Sequence, residues 1–447
     1  MSNTLPTSRE RIESGRIASA PSRSASNVHE PLHMDLGDGA ELVAANAGDH
    51  ALIHELLLAV VQGPSAEEFQ ATIEDPLYEP RDRLLVKRHG RLISHVHVTK
   101  RSLHYGRTQL PLAEIQRLTT LPEYRRAGYA RKLLEVADEQ MRLDGAVVAM
   151  LRTTAPEIFE TLGWLPCGRP SYYQVGAREL RAALEGEHKK RKGLATRMWR
   201  HVELAALMQL YDESTALQFG PLVRSEAYWR WLIGRKAYGQ ILVAIEGDDS
   251  LEFGEQAPQI VGYAVCRGQK VVELCVQNGR KSVARELLMR ACREAIERDV
   301  YSLLVYVPPT GPLGPLLNRA GAKPDAASCR ARETLMINVL DRGEVLRRLY
   351  DEFYERANQV GMTRPAEFGV EIGGRPHRLL FTRRSVHLHA EEPTRIDMRC
   401  SDRAFDALLV GLVDWSGPDA ATIEFRTEEI RQLFMALFPT LSIWRPQ

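Results

Sequence analysis

The chain has 447 residues, and at about 150 residues per domain this length predicts about three domains. Hydrophobic residues make up 44% and charged residues 26%, which is enough apolar material for buried cores and excludes a wholly disordered chain. The 59 Lys and Arg nearly balance the 58 Asp and Glu, so the net charge of +1 provides no overall field that attracts nucleic acid or an anionic membrane.

Cysteine usage and hydropathy indicate the compartment. The cysteines are scattered, with no C-x-x-C pair and no dense framework, at Cys167, Cys266, Cys275, Cys292, Cys329 and Cys400. No apolar run approaches the length of about 18 residues that a membrane span needs, and the N-terminus lacks the apolar core of a signal peptide. We therefore predict a reduced, cytoplasmic protein with no membrane span and no nucleic-acid partner.

The chain divides into a tail and three regions. Residues 1–35 are polar without helical or strand periodicity, which predicts a disordered tail. The folded regions are predicted at 36–185, 194–340 and 341–447. A charged segment that ends at Gly193 separates the first two regions and predicts an exposed linker.

The first two regions look like copies of one design. The segment that begins at Ala130 (ARKLL) corresponds to the one that begins at Ala284 (ARELL), an offset of 154 residues. Each follows two strand-like runs and precedes a buried-strand run and a short helix that ends near Gly163 or Gly321. The shared order predicts a duplication, and strands followed by crossover helices predict an α+β (mixed α/β) fold.

The strongest chemical signal lies in the first copy, between Leu118 and Arg131. A strand runs through Pro122 into an amphipathic helix, with Gly128 near its first turn. The open N–H groups of such a helix and its dipole favour an anion, and a glycine lets the backbone approach it closely. An ordinary helix start with exposed arginines is the alternative that this short motif leaves open.

The loop Arg125-x-x-Gly128-x-Ala130 resembles the pyrophosphate loop of the GCN5-related N-acetyltransferase (GNAT) superfamily. The segment Glu157–Trp164 resembles that family's later Phe-Tyr-x-x-x-Gly-Phe signature. The resemblance implies acetyl-CoA as co-substrate. It implies these contacts with acetyl-CoA: Leu118, Thr119 and Thr120 on the strand, Arg125, Arg126, Ala127, Gly128, Tyr129, Ala130 and Arg131 in the loop, and Thr154 and Ala155 near the thioester.

The second copy departs from this pattern, because Ser282 stands in place of Gly128 and Gly279 in place of Arg125. We therefore predict a degenerate GNAT-like domain without cofactor. In the third region a helix from Glu344 precedes four strand-like runs, predicted to be an antiparallel meander, and then helices over 402–414 and 427–437. This order resembles a sterol carrier protein-like domain. Nearly the whole chain after the tail resembles the enhanced intracellular survival (Eis) family of aminoglycoside and lysine N-acetyltransferases.

Acetyl transfer to an amine needs a proton acceptor and a donor to the leaving thiol. The resemblance implies the C-terminal carboxylate of Gln447 as the base, and Glu114 on the preceding strand is the alternative. The family's general-acid tyrosine aligns with Phe159, whose phenyl ring cannot donate a proton. Tyr172 and Tyr173 are the other candidates for the acid.

Two histidine pairs, His95-x-His97 and His387-x-His389, each place both imidazoles on one face of a predicted strand. This spacing can ligate zinc, but neither pair has an evident third ligand, so we predict no metal site.

The main hypothesis from the sequence is an N-acetyltransferase acting on a primary amine of an aminoglycoside, polyamine or lysine side chain, in a homo-oligomer. A non-catalytic acyl-CoA or lipid-binding sensor or scaffold is the alternative, and a purely structural assembly protein is a weaker third.

Overall fold

The structure is a computed structural model that describes residues 32–61, 63–168, 172–186, 193–235, 239–247, 259–307, 313–325 and 333–445. Its helices are α1 (His50–Val61), α2 (Ala66–Ile73), α3 (Tyr129–Leu143), α4 (Pro156–Glu160), α5 (Ala177–Gly186), α6 (Leu204–Thr215), α7 (Glu226–Gly234), α8 (Lys281–Glu297), α9 (Gly314–Arg319), α10 (Arg342–Arg348), α11 (Tyr350–Gln359), α12 (Asp402–Leu409) and α13 (Glu428–Leu437). Its strands are β1 (His33–Gly37), β2 (Ala40–Ala44), β3 (Arg83–Arg88), β4 (Arg91–Tyr105), β5 (Thr108–Thr120), β6 (Val148–Thr153), β7 (Leu165–Pro166), β8 (Tyr172–Gly176), β9 (Leu194–Met198), β10 (Phe219–Leu222), β11 (Gln240–Glu246), β12 (Gln259–Arg267), β13 (Lys270–Val276), β14 (Ser302–Val305), β15 (Lys323–Asp325), β16 (Thr334–Val339), β17 (Ala366–Ile372), β18 (Arg375–Phe381), β19 (Val386–His389), β20 (Met398–Cys400) and β21 (Glu424–Phe425).

The first sheet has the order β1-β2-β3-β4-β5-β6-β16-β7, with β10 paired to β4. Strands β2 to β5 are antiparallel, and α3 then crosses over so that β6 lies parallel to β5. The buried face of α3 carries Leu133, Ala137 and Met141, which repeat at helical spacing and pack on the sheet. The predicted amphipathic helix is therefore confirmed, and its N-terminus lies at the edge where β5 ends.

The second sheet, in the order β15-β8-β14-β13-β12-β11-β9, repeats the same unit. Antiparallel β11, β12 and β13 are followed by the crossover helix α8 and the parallel strand β14. A short helix, α4 in the first copy and α9 in the second, follows the parallel strand. The predicted duplication and the α+β fold class are confirmed.

Strands cross between the two sheets in both directions, in addition to β10 on β4, and the sequence did not indicate these pairings. Strand β8 follows the first copy but pairs with β14 in the second sheet. Strand β16 follows the second copy but pairs with β6 in the first sheet, in register from Thr334 opposite Thr153 to Val339 opposite Val148. The predicted boundaries at 185 and 340 stay a prediction, since hydrogen-bonded strands cross between the two halves.

The third sheet has the order β19-β18-β17-β20-β21. Strands β17, β18 and β19 form the predicted antiparallel meander, but β20 is parallel to β17 on its other edge, so the prediction is wrong for the fourth strand. Helix α12 ends at Leu409 and not at 414, because Gly411 takes a left-handed conformation with φ of 67°.

One hydrophobic core joins the third region to both sheets, and the last described residues run through this junction. Ile443 pairs with Phe219, and the amide of Trp444 donates to the Phe219 carbonyl oxygen at 2.8 Å. Trp444 is 1% exposed and the Arg445 amide donates to the Tyr306 hydroxyl at 3.1 Å. The last described residue, Arg445, thereby reaches the first sheet, where it forms an ion pair with Glu114 of β5.

At the other end, residues 1–31 of the predicted tail lie outside the described residues, and β1 begins at His33. Most of the predicted linker, 187–192, and Cys329 also lie outside them. None of the helices in the described ranges is both long and apolar enough to cross a bilayer.

Candidate active site

A β-bulge in β5 creates the site. Strand β4 pairs His95 with Thr119 and His97 with Gln116, so that Arg117 and Leu118 stand opposite the single residue Val96. Arg117 has φ of +55°, an unusual conformation for a residue with a side chain. Such bulges re-aim side chains and interrupt the regular pairing of a strand.

The bulge coincides with the point where β5 separates from β6. The two parallel strands pair from Leu112 opposite Val148 to Ile115 opposite Leu151, and no pairing continues beyond Ile115. The opening forms a cavity of about 600 Å³, here called the bulge cleft. It is lined by Val61, Ile115, Arg117, Leu118, Thr119, Ala130, Arg131, Leu134, Leu151, Arg152, Thr153, Thr154, Ala155, Ile158, Phe159, Thr161, Leu162 and Glu333. On the side of β6, the edge of β5 beyond Ile115 is therefore free of strand pairing among the described residues.

The loop from Arg125 to Arg131, which the sequence predicts to bind an anion and which is here called the anion loop, adjoins the bulge cleft at Ala130 and Arg131. It continues from a short 3₁₀ helix, Pro122–Tyr124, into the N-terminus of α3. Gly128 is the N-cap, with φ of +85°, no side-chain cap and no atom within 4 Å of a Cβ built there. The first backbone hydrogen bond of the helix is from the Lys132 amide to the Gly128 carbonyl, at 3.0 Å, so the preceding N–H groups of the loop are free of helical partners. These groups and the helix dipole suit an anion such as pyrophosphate.

Half of the predicted cofactor contacts line the bulge cleft, and the other half lie next to it. Leu118, Thr119, Ala130, Arg131, Thr154 and Ala155 all line the bulge cleft. Thr120, whose hydroxyl is 2.7 Å from that of Ser94, and the residues Arg125, Arg126, Ala127, Gly128 and Tyr129 lie next to it in the strand end and loop and do not line the cavity itself. Arg126 also has a positive φ, of 64°, which turns the loop at this point.

The aromatic residue at the family's acid position is Phe159. It lines the bulge cleft and is 8% exposed, with its ring 6.1 Å from that of Trp164 in an edge-on arrangement. Tyr172 and Tyr173, the alternative proton donors, lie on β8 in the second sheet and line no part of this cleft. Among the described cleft residues, none offers a tyrosine hydroxyl to a leaving thiol.

Glu114 lies beneath the site, on the face of β5 opposite to Ile115. Its carboxylate forms an ion pair with Arg445 at 2.5 Å, and the two side chains are 16% and 7% exposed. Arg152, which lines the cleft, has its pKa lowered by burial and by repulsion from Arg445. Gln447, the other candidate base, lies outside the described residues, two positions after Arg445.

A second cavity adjoins the first. This groove, of about 640 Å³, is lined by Leu57, Pro64, Glu67, Glu68, Phe69, Gln70, Ala71, Thr72, Glu74, Arg83, His97, Gln116, Arg117, Gly234, Arg235 and Arg267, and is here called the arginine groove. Arg117 lines both cavities, so the two meet at the bulge. A ligand in the arginine groove and a ligand in the bulge cleft would therefore both lie next to Arg117.

The two histidine pairs have different surroundings. His95 is fully buried between Arg83 and the Arg117 carbonyl, at 3.2 Å from each, and burial with the Arg83 charge lowers its pKa to about 3. His387 contacts the Ser385 hydroxyl at 2.6 Å on β19. In the described ranges no group of three or more His, Cys, Asp or Glu side chains is arranged to hold a metal ion.

Sequence reasoning missed several residues of the site, notably Arg117, Arg152, Arg83 and Arg445. For Arg117 a signal was present: the polar pair Gln116-Arg117 interrupts the alternation of the strand, as a bulge does. The other three become neighbours only through the fold, and their spacing in the sequence carries no signal.

Comparisons with known proteins agree with this geometry. Residues 43–167 match the model of an acetyltransferase (GNAT) domain, whereas no curated protein sequence matches the chain. Similar solved structures, each covering 91% of this chain and 99% of its own, include a GCN5-related N-acetyltransferase from Kribbella flavida, with 16% identity and a TM-score of 0.67. Others are a probable N-acyltransferase from Enterococcus faecalis V583, with 11% identity and a TM-score of 0.69, and Eis1 from Mycobacterium abscessus, with 15% and 0.61.

At these identities the solved structures show the fold of the chain alone. The segment 43–167 contains the bulge of β5, the anion loop and α4, which together enclose the bulge cleft. Residues 43–167 thus match a GNAT acetyltransferase domain within a larger GNAT-like fold, and this match supports an N-acetyltransferase.

Proposed function

We propose that this chain is an acetyl-CoA-dependent N-acetyltransferase that acts on primary amines. The observation that carries the proposal is the meeting of two cavities at the bulge of β5. One cavity is lined by Ala130 and Arg131 of the anion loop, the other is not, and both are lined by Arg117, so an acyl donor in the first and an amine in the second would lie next to each other at the bulge. Bound acetyl-CoA supplies an activated acetyl thioester there.

The chain's own residues bind and orient the donor. The N–H groups of the loop from Arg126 to Arg131 hold the pyrophosphate, and Arg125 and Arg126 add positive charge. Leu118, Thr119 and Thr120 bind the pantetheine along the edge of β5 that leaves β6. The backbone at Thr154 and Ala155 closes the other wall; it is held in a turn in which the Ala155 amide donates to the Thr153 hydroxyl at 3.1 Å.

The amine must lose a proton before it can attack. A primary alkyl amine with a pKa near 10.4 is only about 0.1% neutral near pH 7.4, so a base or a water chain is required. Glu114 is one candidate base. His97 and Thr99 lie on the face of β4 that leads from the arginine groove to Glu114, and the buried polar atoms of both side chains have no hydrogen-bond partner in the described residues. Buried atoms of this kind are usually bridged by water, which suits a proton path.

The leaving thiol departs without a tyrosine acid, because Phe159 occupies that position. A thiolate with a pKa near 8.5 is a tolerable leaving group, so the loss of an acid lowers the rate and does not abolish it. The buried Phe159 is also the observation that favours the second candidate function, a sensor or scaffold that binds an acyl-CoA or a lipid without turnover.

For the second copy and the third region, the proposal keeps the functions predicted from the sequence. The second copy serves as a GNAT-like domain without cofactor, and residues 341–447 form a sterol carrier protein-like domain. The enzyme acts in the cytoplasm as a homo-oligomer, which light scattering tests directly.

The test of the function is CoA release from acetyl-CoA with a mixed panel of polyamines, aminoglycosides, lysine peptides and amino acids. Turnover above the uncatalysed rate supports the enzyme, whereas saturable acyl-CoA binding with no transfer supports the sensor. Glu114→Gln and deletion of Gln447 separate the two candidate bases, with Glu139→Gln on the exposed face of α3 as a matched control. The base is the residue whose change lowers kcat by 10²-fold or more.

A further inference from the structure

The arginine groove contains a buried positive charge without an ion-pair partner. Arg83 on β3 is 1% exposed, and its guanidinium lies 5.1 Å from the ring centroid of Phe69 and 5.4 Å from that of Tyr78. Its Nε donates to the Tyr78 hydroxyl at 3.1 Å and its Nη1 is 3.2 Å from Nε2 of His95. No carboxylate forms an ion pair with Arg83 in the described part of the chain. Buried guanidinium groups are normally paired, because the charge is costly to remove from water.

A second unpartnered group stands beside it. His97 is 1% exposed and lines the arginine groove, and neither ring nitrogen has a hydrogen-bond partner among the described residues. Burial and the charges of Arg83, Arg101 and Arg117 hold its pKa well below the usual value, so the ring is neutral and offers one donor and one acceptor. Tyr78 fixes the ring edge-on at 5.7 Å.

The charged side chains of the arginine groove lie in two places: one is buried at its base, here called the floor, and the others are exposed at its opening, here called the rim. Arg83 forms the floor, and Arg117 and Arg267 add two exposed guanidinium groups that make no ion pair in the described residues. The negative charges of the groove are exposed on α2 and in the residue after it: Glu67, Glu68 and Glu74. Glu68 is held by the Ser65 amide at 3.1 Å and Glu74 by the Gln70 side chain at 3.1 Å. The inner end, next to the bulge, is therefore positive.

From this arrangement we propose that the acceptor is an amine that also carries an oxyanion, a carboxylate or a phosphate, which binds to Arg83 and His97 at the inner end of the arginine groove. The inference rests on the proposed acetyltransferase function and narrows its substrate class. A planar guanidinium recognises carboxylate and phosphate by paired hydrogen bonds. The glutamates of the rim attract the ammonium group only as the ligand enters the groove, and the floor then binds the anion.

The same charges disfavour a polycation. A polyamine or aminoglycoside brings ammonium groups toward Arg83 and Arg117 and pairs with neither. The rim glutamates offer it attraction only at the mouth of the groove, where solvent and salt screen the interaction.

The experiment compares amines in pairs that differ only in the anion. Lysine against cadaverine tests a carboxylate; phosphoethanolamine against ethanolamine and glucosamine 6-phosphate against glucosamine test a phosphate. Spermidine and kanamycin represent polycations. We expect the anionic member of at least one pair to have a kcat/KM at least 10-fold higher than its partner, and the pair that shows the preference identifies the oxyanion.

Substitutions in the arginine groove test which side chains cause the preference for the anionic amine. Arg83→Met should raise KM for the anionic member 10-fold or more, with a small change in kcat. The ratio of kcat/KM between the anionic and the cationic member of each pair should then approach one. Arg83→Lys should restore part of the preference. Arg384→Met, at an exposed position in the third region, is the control and should leave the ratio unchanged. If Arg83→Met fails to fold, Arg117→Met and Arg267→Met, both at exposed positions, should lower the ratio instead.

The outcomes distinguish this inference from the proposed function. Turnover in which the cationic members equal or exceed the anionic ones overturns the inference and leaves the acetyltransferase intact. If no amine turns over, the proposed function fails. The inference is then decided by calorimetry with CoA present, which compares the affinity for lysine with that for cadaverine, and the affinity for glucosamine 6-phosphate with that for glucosamine. Absence of a preference in binding overturns it.

Discussion

Substitution of Gly128 by Glu tests the anion loop most directly. The glycine has φ of +85°, and a side chain in that conformation costs about 1–2 kcal/mol of stability. No atom lies within 4 Å of the added Cβ, so the new side chain starts in open space at the N-cap of the helix. For each ligand charge about 6 Å away, the repulsion is about 0.7–2.8 kcal/mol at effective dielectric constants of 80 to 20. We therefore expect acetyl-CoA to bind about 3- to 100-fold more weakly for each such charge.

Two controls separate strain from charge. Gly128→Ala carries the strain alone and should lose stability with a smaller loss of affinity. Gly279→Glu changes a glycine before the corresponding helix of the second copy, with φ of +63° and equally open surroundings. It should lower the melting temperature comparably and leave acetyl-CoA binding unchanged.

The assay is isothermal calorimetry of acetyl-CoA binding at about 0.05 M and 0.5 M salt, with CoA release measured in parallel. The affinity difference between Gly128→Glu and Gly128→Ala should shrink at high salt, where the Debye length falls to a few ångströms. Wild-type affinity in Gly128→Glu, or an equal loss in Gly279→Glu, refutes the assignment of the anion loop.

Three further predictions concern other parts of the structure. Phe159→Tyr places a hydroxyl in the bulge cleft and should raise kcat about 2- to 10-fold if thiol departure limits the rate; steady-state kinetics with unchanged or lower kcat contradicts this. Glu273→Gln removes the carboxylate charge that binds Arg224 at 2.7 and 3.1 Å in the core, and should lower the free energy of unfolding in urea by about 3–5 kcal/mol. Because the folded-state pKa of His95, about 3, lies below the unfolded value near 6.5, the unfolded state binds the proton first as pH falls; stability should drop between pH 6.5 and 3, approaching about 1.4 kcal/mol per pH unit. His95→Gln should flatten that slope in denaturation curves, and an unchanged slope would show that other groups dominate.

Local patterns in the sequence predicted the anion loop and the duplicated unit. The helix that follows Gly128 is fixed by apolar residues at helical spacing and by a glycine in the only conformation that leaves the loop open, and both are properties of consecutive residues. The order of strands and crossover helix repeats in both copies for the same reason. These features can therefore be predicted without knowing which other parts of the chain pack against them.

Contacts between distant parts of the chain were not predictable in the same way. The pairing of β16 with β6 depends on which of several similar apolar strands reaches the open edge first and fits it best, and alternation alone does not select a partner. The ion pair of Glu114 with Arg445 joins residues more than 300 positions apart. Arg83 looks like any polar residue at a strand start, and its burial between two aromatic rings follows only from the placement of α2.

The exchanged strands have a consequence for biosynthesis. About 180 residues separate the end of β6 from the start of β16, so at 5–20 residues per second a ribosome needs about 10 to 40 s to supply the missing strand. During that interval the nascent first half presents the unpaired backbone of β6 as an edge, a template for wrong pairing with other chains. A gene fragment that ends between the two copies keeps this edge permanently and should accumulate in inclusion bodies. Synonymous codons that slow translation of the second half should increase aggregation of the full chain, and co-expression of the β16 segment with the fragment should relieve it.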